Sequence, residues 1–551
     1  MLKKVLPMTL SALAVVGAIG LAGCGSSGGN TGGETTGEAT TQAQSSGGGS
    51  LKSSGDVTAF LGTSIFDNSL DPVKGSMSYG YPFVCNALLK VNPNSEYVGD
   101  LADTWTISDD ALTYTFTLKK GIKFSDGSDF TAEDVTFTYN EVKNNQANNE
   151  NVDLTNLESA TAKDDYTVEF KLKEPYSPFV DVASRLQIVP SDAYNSSAFD
   201  TKPIGTGAWK VLEYTPNQQI ILEANKDHFD GAPSIDKVTI VYMDQDAAVA
   251  AAQSGQLDIV MVGSTHANKT APGMTLDRFE TMDVRQISFP MIEEGTMKDK
   301  DGIERKVGNN VTSDHAVREA LSIGINRQQI IQNAFNGVGK PAVHFTNNLQ
   351  WATTKTWSDN RLDEAKKILD DAGWKLEGDV RKKDGLACEF DVIAPGNDED
   401  RYNLAVAFSE NAKDLGIKIN VKNASWDDAE GLMYSTPLVW GWGQYSPTVI
   451  ENLFYSKNFL TGYSNVIAYN NPKVDEAITK AIDANNEPDA IKEWREAQDI
   501  AEEDYPYLYL VNIEHCYFIN DNLNVSKSTQ IPHPHGHGGP IICNMKDWKW
   551  K

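Results

Sequence analysis

The amino-acid sequence predicts a two-lobed α/β protein. About 495 residues follow residue 55, which is more than one ordinary hydrophobic core holds. Strand patterns dominate the first half of this stretch, helical patterns begin at Thr312, and a strand pattern returns in "PYLYLVNIEHCYFI" near the C-terminus. We therefore expect lobe I to comprise residues 56–300 and 509–551, with lobe II formed by residues 301–508.

The N-terminus has the pattern of an export signal. Lys3 and Lys4 precede a short apolar run, and small residues follow it, which predicts a signal peptide over residues 1–23. Leu-Ala-Gly directly before Cys24 resembles a bacterial lipobox. That resemblance implies cleavage before Cys24 and attachment of diacylglycerol to its sulfur. The alternative is a plain signal peptide with an incidental cysteine.

Residues 24–55 are predicted to be a tether. They consist mainly of Gly, Ser and Thr, which cannot bury enough apolar surface to offset the entropy lost on ordering. A coil of this composition and length spans roughly 30 Å. We expect a domain held by lipid on the extracytoplasmic face of the cell membrane, either at the surface of a monoderm cell or in a periplasmic space.

Charge and cysteine content narrow the class further. The formal charge is −28 and the sequence has no Lys/Arg cluster, which argues against binding to nucleic acid or to anionic lipid surfaces. Besides Cys24, four cysteines are widely spaced, and they allow two disulfides with three connectivities. We expect at most one bond, or else buried free thiols, at Cys85, Cys388, Cys516 and Cys543.

Lobe I shows clear strand and helix signals. Apolar residues alternate with Thr and Lys in a half-buried strand at Leu112, Tyr114, Phe116 and Leu118. Thr131 and Asp134 form a capping-box pattern, which predicts a helix with Val135 and Tyr139 on one face. A helical pattern between "KVTIVYM" and "LDIV" predicts a βαβ-like unit.

Lobe II has helical periodicity. Asn326 is predicted to cap the second helix of "SDHAVREALSIGINRQQIIQNAFNG". Pro472 is predicted to open a later helix, whose apolar stripe is Val474, Ala477, Ile478, Ala481 and Ile482. The short apolar segments "CEFDVIA" and "GIKINVK" are predicted strands.

One long segment carries a family resemblance. "LADTWTISDDALTYTFTLKKGIKFSDGSDFTAEDV" resembles the signature of the solute-binding proteins of peptide/nickel-type ABC importers, family 5. Four further blocks resemble the family in its own order: "PIGTGAWKV", "AAVAAAQSGQLDIV", "VREALSIGINRQQIIQNAFNGVGKPA" and "YNNPKVDEAITKAI". The resemblance covers nearly all of residues 56–520.

The resemblance implies a fold and a function. The fold is periplasmic-binding-protein-like, of class II, with an extra β-rich subdomain at about residues 95–200 and a hinge that closes around ligand. The function is that of a monomeric, cofactor-free receptor that passes di- or oligopeptides to an ABC permease. Alternatives are a nickel, metal-chelate or oligosaccharide receptor and, less favoured, a sensor or adhesin lipoprotein.

The segment "LVWGWGQYSPTVIENLF" matches the family's ligand-binding loop. In peptide-binding members an Asp after the Gly-Trp pair binds the peptide's α-amine. Here Gly441 and Trp442 are present, but none of the following four residues is acidic. The usual salt bridge to a peptide amine is therefore missing or supplied elsewhere.

The same segment offers aromatic side chains. Trp440, Trp442 and Tyr445 could line a stacking surface, or one tryptophan could enter the core while the other faces the cleft. Gly443 and Gln444 belong to the same loop. Family analogy adds three residues near the first strand, Thr63, Ser64 and Tyr81.

Three histidines stand close together near the C-terminus. His533, His535 and His537 lie in "IPHPHGHGGP", and neutral imidazoles suit Ni²⁺, Cu²⁺ or Zn²⁺. The alternatives are a loop that contacts an organic ligand and a structural loop of lobe I. Because Gly-x-Ser-x-Gly, His-Glu-x-x-His and Cys/His nucleophile patterns are all missing from the sequence, we do not expect an enzyme.

Overall fold

The protein is organised around one long mixed β-sheet. The computed structural model describes residues 52–62, 69–149, 151–345, 349–396, 398–532 and 540–551. The strands, in chain order, are β1 (Val57–Phe60), β2 (Leu89–Val91), β3 (Tyr97–Gly99), β4 (Ala102–Ile107), β5 (Thr113–Leu118), β6 (Leu157–Asp164), β7 (Thr167–Leu172), β8 (Trp209–Thr215), β9 (Gln219–Ala224), β10 (Lys237–Val241), β11 (Ile259–Val262), β12 (Met274–Ser288), β13 (Gly295–Lys298), β14 (Glu304–Val307), β15 (Lys340–Pro341), β16 (Lys375–Glu377), β17 (Val380–Lys383), β18 (Leu386–Ala387), β19 (Glu389–Pro395), β20 (Lys418–Ala424), β21 (Val439–Trp442), β22 (Tyr507–Asn520), β23 (Leu523–Asn524) and β24 (Lys549–Trp550).

Helices cover the sheet. They are α1 (Ala132–Asn144), α2 (Phe179–Arg185), α3 (Ser196–Phe199), α4 (Gln245–Gln253), α5 (His315–Gly324), α6 (Arg327–Phe335), α7 (Leu362–Asp371), α8 (Glu399–Ala412), α9 (Trp426–Leu432), α10 (Thr448–Phe454), α11 (Pro472–Asp483) and α12 (Glu487–Ala501). In the part of the chain that is described, no helix combines the length and apolar character needed to cross a bilayer.

The main sheet runs in the order β21-β12-β22-β11-β1-β10-β9-β8, with β15 also on β22. β1 lies between β10 and β11 and is parallel to both. Helix α4 connects β10 to β11, which agrees with the predicted βαβ-like unit. β12 and β22 are antiparallel along nearly their whole length. Most residues of β22 are buried, which explains the almost unbroken apolar run in its sequence.

A smaller sheet, β4-β5-β7-β6, packs against α1. Tyr114 and Phe116 on β5 are buried, as their alternation predicts. The predicted capping box of α1 is confirmed: the backbone N–H of Thr131 donates to the Asp134 carboxylate at 2.8 Å. Val135 and Tyr139 are fully buried on the face that meets the sheet.

The helix-rich middle of the chain also matches its predictions. The Asn326 side chain accepts from the backbone N–H of Gln329 and so caps α6. Pro472 opens α11, and the apolar stripe of that helix is buried at Val474, Ala477, Ile478 and Ala481. The predicted strands β19 and β20 pair in parallel beside α8.

The four described cysteines are all free. Cys85, Cys388 and Cys516 are buried and Cys543 is half-buried, which agrees with the alternative of free thiols. The predicted signal peptide and Cys24 lie outside the described residues, as does most of the predicted tether.

A buried acid lies where α12 leads into β22. Glu502 is 4% exposed, and its Oε1 accepts a 2.7 Å hydrogen bond from the hydroxyl of Tyr509. Burial raises the pKa of Glu502 from 4.5 to about 8, against the opposing effect of that hydrogen bond. Between these two values the folded protein retains a proton that the unfolded chain releases.

We therefore expect the free energy of unfolding to fall as pH rises from about 4.5 to about 8. The slope from this group approaches about 1.4 kcal/mol per pH unit. Glu502→Gln keeps an acceptor for Tyr509 and should remove this slope, so the variant should exceed the wild type in stability at pH 8 but not near pH 4.5. Urea unfolding across this range measures the difference.

Glu503→Gln is the control, since exposed Glu503 pairs with Lys355 at 2.8 Å and has a lowered pKa. Parallel pH profiles for wild type and Glu502→Gln would contradict the prediction.

Candidate ligand-binding site

The Gly-Trp segment forms an edge strand of the main sheet. β21 is antiparallel to β12, with Trp440 opposite Gln286 and Trp442 opposite Val284. Side chains two residues apart on a strand point to the same face. The two tryptophans therefore lie on one side of β21, where Trp440 is buried at 7% exposure and Trp442 is half-buried.

These two tryptophans line an open groove of about 330 Å³. We call it the tryptophan groove; its lining residues are Arg401, Trp426, Trp440, Gly441, Trp442, Gly443, Gln444 and Tyr463. The ring of Trp426 meets that of Trp440 edge-on, with 5.9 Å between the ring centroids. The ring centroid of Tyr463 lies 5.5 Å from that of Trp440. Trp426 and Tyr463 are 41% and 43% exposed. Grouped exposed aromatic rings are typical of a binding surface.

Arg401 brings a charge into the groove. Its side chain is 8% exposed, and its guanidinium carbon lies 5.0 Å from the Trp426 ring centroid. Its Nε is buried and has no hydrogen-bond acceptor among the described residues; the nearest carboxylate oxygen, of Asp398, is 3.7 Å away. Burial and the like charge of Arg285 lower the pKa of Arg401 to about 10, so it stays protonated at neutral pH.

Trp442 offers a second donor. Its indole Nε1 is buried and also lacks an acceptor within the described part of the chain. Buried donors without acceptors are costly to leave unsatisfied. A ligand that brings acceptor oxygens and an apolar group would satisfy both donors and cover the exposed rings.

The loop after β21 rests directly on an irregularity in β12. The register between β12 and β22 shifts between Glu280 and Val284. At Gly443 an added Cβ would lie 2.4 Å from the Met282 carbonyl oxygen and 2.9 Å from the Asp283 nitrogen. Glycine is therefore required for the two backbones to approach this closely.

Tyr445 points away from the tryptophan groove. It is 6% exposed, its hydroxyl donates to the Pro532 carbonyl at 2.5 Å, and its own carbonyl accepts from Trp351 Nε1 at 2.9 Å. These two hydrogen bonds fix the loop to two distant parts of the chain. The stacking surface expected from three aromatic residues thus contains the two tryptophans without Tyr445.

Tyr445 instead lines a second cavity of about 250 Å³. We call it the inner cavity. Its walls come from the edge of the small sheet, from the segment that precedes α2, from the Tyr445 loop and from the start of α12. The aromatic members of its lining are Tyr97, Trp105, Trp351, Tyr445 and Trp494.

The remaining predicted site residues are distributed as follows. Tyr81 is 2% exposed, and its ring stacks on that of Tyr79 with 5.5 Å between the ring centroids. Thr63, Ser64, His533, His535 and His537 lie outside the described residues. Within the described ranges, no group of three or more His, Cys, Asp or Glu side chains could hold a metal ion.

Three groove residues were not predicted: Arg401, Trp426 and Tyr463. Arg401 is in the first turn of α8, Trp426 is the first residue of α9, and Tyr463 is in a loop. Each is separated from the Gly-Trp segment in sequence and reaches it through tertiary packing. The local sequence around them contains no signal for a site.

A large mixed α/β fold with an open groove at the edge of its main sheet is typical of proteins that bind small solutes. A family model, that of the bacterial extracellular solute-binding proteins, family 5 (Middle), matches residues 96–466. The chain belongs to this family. Its fold is the predicted two-lobed binding-protein fold, and the family consists of substrate-binding receptors rather than enzymes.

Individual relatives extend this comparison. Protein XP55 of Streptomyces lividans is 28% identical over 498 residues, covering 87% of this chain and 89% of that protein. The oligopeptide-binding protein AppA of Bacillus subtilis is 27% identical over 554 residues and covers 96% of both chains.

Solved structures agree in fold. AppA of Bacillus subtilis in complex with a nonapeptide superposes with a TM-score of 0.62 at 23% identity, covering 91% of this chain and 100% of that chain. NikZ of Campylobacter jejuni in complex with Ni(L-His) gives a TM-score of 0.70 at 23% identity, with the same coverage.

Replacement of Gly443 should damage the groove. In Gly443→Ala the new Cβ collides with backbone atoms of β12, which cannot move as a flexible side chain does. We expect a loss of about 1–3 kcal/mol in the free energy of unfolding, measured by urea titration. Gly431→Ala in α9 is the control, because its Cβ meets nothing within 4 Å and should stabilise the helix slightly. Equal stability of the two variants would show that the loop does not depend on this contact.

Proposed function

We propose that this protein is the substrate-binding lipoprotein of an ABC importer, which captures di- or oligopeptides outside the cytoplasmic membrane and delivers them to the permease. The observation that carries the proposal is the tryptophan groove, with exposed aromatic rings beside two buried donors that lack acceptors. The similarity to the oligopeptide-binding AppA along 96% of the chain supports it.

Peptide chemistry suits this groove. Backbone carbonyls and a carboxylate supply acceptors for Arg401 Nε and Trp442 Nε1, and apolar side chains cover Trp426 and Tyr463. The described lining contains no Ser, Cys or His, which fits a receptor that releases its ligand unchanged. We propose that the protein acts as a monomer without cofactor and without enzymatic activity.

The groove can be tested by isothermal titration with a defined oligopeptide library. Trp442→Ala removes an aromatic wall and a donor, and we expect the Kd of the best peptides to rise at least about tenfold. Trp550→Ala is the control, because Trp550 lies on β24 and donates to the Gly55 carbonyl at 2.7 Å. Circular dichroism verifies that both variants fold. Equal affinity in the two variants, or no peptide binding by the wild type, would refute the proposal.

A nickel or metal-chelate ligand is the second candidate. The likeness to NikZ with bound Ni(L-His) and the three histidines near the C-terminus favour it. The hydrogen bond from Tyr445 to Pro532 brings the chain to the Gly-Trp loop one residue before His533. In the same titrations, Ni²⁺ binding that is lost when His533, His535 and His537 become Ala would favour this candidate over peptides.

We further propose that Cys24 carries the membrane anchor. A diacylglycerol on this residue would hold the receptor near its permease while residues 25–55 act as the tether. Two or more acyl chains give stable membrane attachment, whereas a single short chain does not.

Replacement of Cys24 should release the protein. In the native host, Cys24→Ala should move it from the membrane fraction to the soluble extracytoplasmic fraction, and it should no longer partition into Triton X-114. Cys543→Ala is the matched control and should leave the protein in the membrane fraction. Wild-type protein that partitions into the aqueous phase would contradict lipid attachment.

A further inference from the structure

The inner cavity is separate from the tryptophan groove and has its own chemistry. The loop after β21 divides the two, with Gln444 on the groove and Tyr445 on the inner cavity. Trp351 and Trp494 form deeply buried walls, at 5% and 1% exposure, while Trp105 and Tyr97 are half-buried. Aromatic faces on several sides suit an apolar group or a cation.

Acidic groups stand at the rim. Glu487, in the first turn of α12, lines the inner cavity, and Glu96 lies on the neighbouring segment. Neither forms an ion pair with any Lys, Arg or His of the described chain. Partial burial and the like charge of Glu96 raise the pKa of Glu487. Asp181, which also lines the cavity, already accepts from the Tyr97 hydroxyl at 2.9 Å and pairs with Arg185 at 3.5 Å.

A buried donor completes the lining. Trp494 is 1% exposed, and its indole Nε1 finds no acceptor among the described residues. A buried N–H without a partner is rare in folded proteins unless a bound molecule or water satisfies it. The cavity therefore combines an uncompensated carboxylate, aromatic walls and an unsatisfied donor.

We propose that the inner cavity binds an organic cation, an ammonium group on a short apolar stem, with Glu487 as its charge partner. The aromatic walls enclose the stem and the ammonium, and Trp494 Nε1 donates to an acceptor of the same ligand. This assignment rests on the proposed peptide function, in which an α-amine or a lysine side chain supplies the ammonium. Glu487 would also supply the carboxylate for a peptide ammonium that the Gly-Trp loop lacks.

Beside the cavity, two hydrogen bonds join segments that the sequence assigns to different lobes. The backbone N–H of Ser177 donates to the Ile482 carbonyl at 2.8 Å, and the Ser177 hydroxyl donates to the Ala481 carbonyl at 2.7 Å. Both acceptors are at the C-terminal end of α11, and Ser177 itself lines the cavity. A cation bound in the cavity would contact both segments, and its binding would stabilise the arrangement in which they are joined.

The experiment uses a cation and its neutral analogue. Purified protein is titrated calorimetrically with 2-phenylethylamine and with 2-phenylethanol, which share ring and stem. We expect the amine to bind at least about tenfold more tightly, and Glu487→Gln to abolish that preference. Glu496→Gln removes the same charge from an exposed position on α12 and should leave the preference intact. Because Glu487 is at the exposed rim, its replacement does not threaten folding.

Two further probes identify the source of the ammonium. Phenylalaninamide carries a free α-amine, whereas N-acetyl-lysinamide carries its ammonium on the side chain. Equal binding of amine and alcohol, or the same loss in both glutamate variants, would overturn the inference. Amine binding that depends on Glu487 in a protein that binds no peptide would support the inference while refuting the peptide function. Peptide binding that is unaffected by Glu487→Gln would support the peptide function while refuting the inference.

Discussion

The structure depends above all on the antiparallel pairing of β12 with β22. At one end, β22 pairs with β11 and so joins the sheet that contains β1 and β10. At the other end, β12 carries β21, and α5 and α6 pack against β22. The side-chain period of a strand is two, so a slip of one residue here would turn the buried faces outward in both halves of the molecule.

Buried polar contacts secure this pairing. The guanidinium of Arg327, at the start of α6, is fully buried; it donates to the Tyr509 carbonyl at 2.7 Å and to the Ser322 carbonyl at 2.8 Å. Thr281, within the register shift of β12, donates through its hydroxyl to the Ile513 carbonyl at 2.7 Å. The irregularity in β12 is thus held in place, and the loop that divides the two cavities rests on a rigid support. Preorganisation of this kind lowers the entropy lost when a ligand binds.

The sequence was most informative where structure is local. The capping box at Thr131, the cap at Asn326 and the helix start at Pro472 depend on neighbours within a few residues, and each is present. In the candidate site, Trp440, Trp442, Gly443 and Gln444 line one groove, since they follow one another on a strand and its loop. Tyr445 differs because its hydroxyl donates to the carbonyl of Pro532, which is 87 residues further along the chain. No local sequence pattern indicates such a contact. Arg401 and Trp426 join the groove through the packing of α8 and α9, which is also beyond local reach.

The free thiols have a consequence for where the protein can work. No covalent cross-link among the described cysteines contributes to the fold, so its stability comes from packing and hydrogen bonds that do not respond to redox potential. Burial raises the pKa of Cys516 to about 11 and of Cys388 to about 12, which keeps these sulfurs as unreactive thiols. Folding to this structure therefore forms no disulfide among the described cysteines and needs no oxidising compartment for such a step.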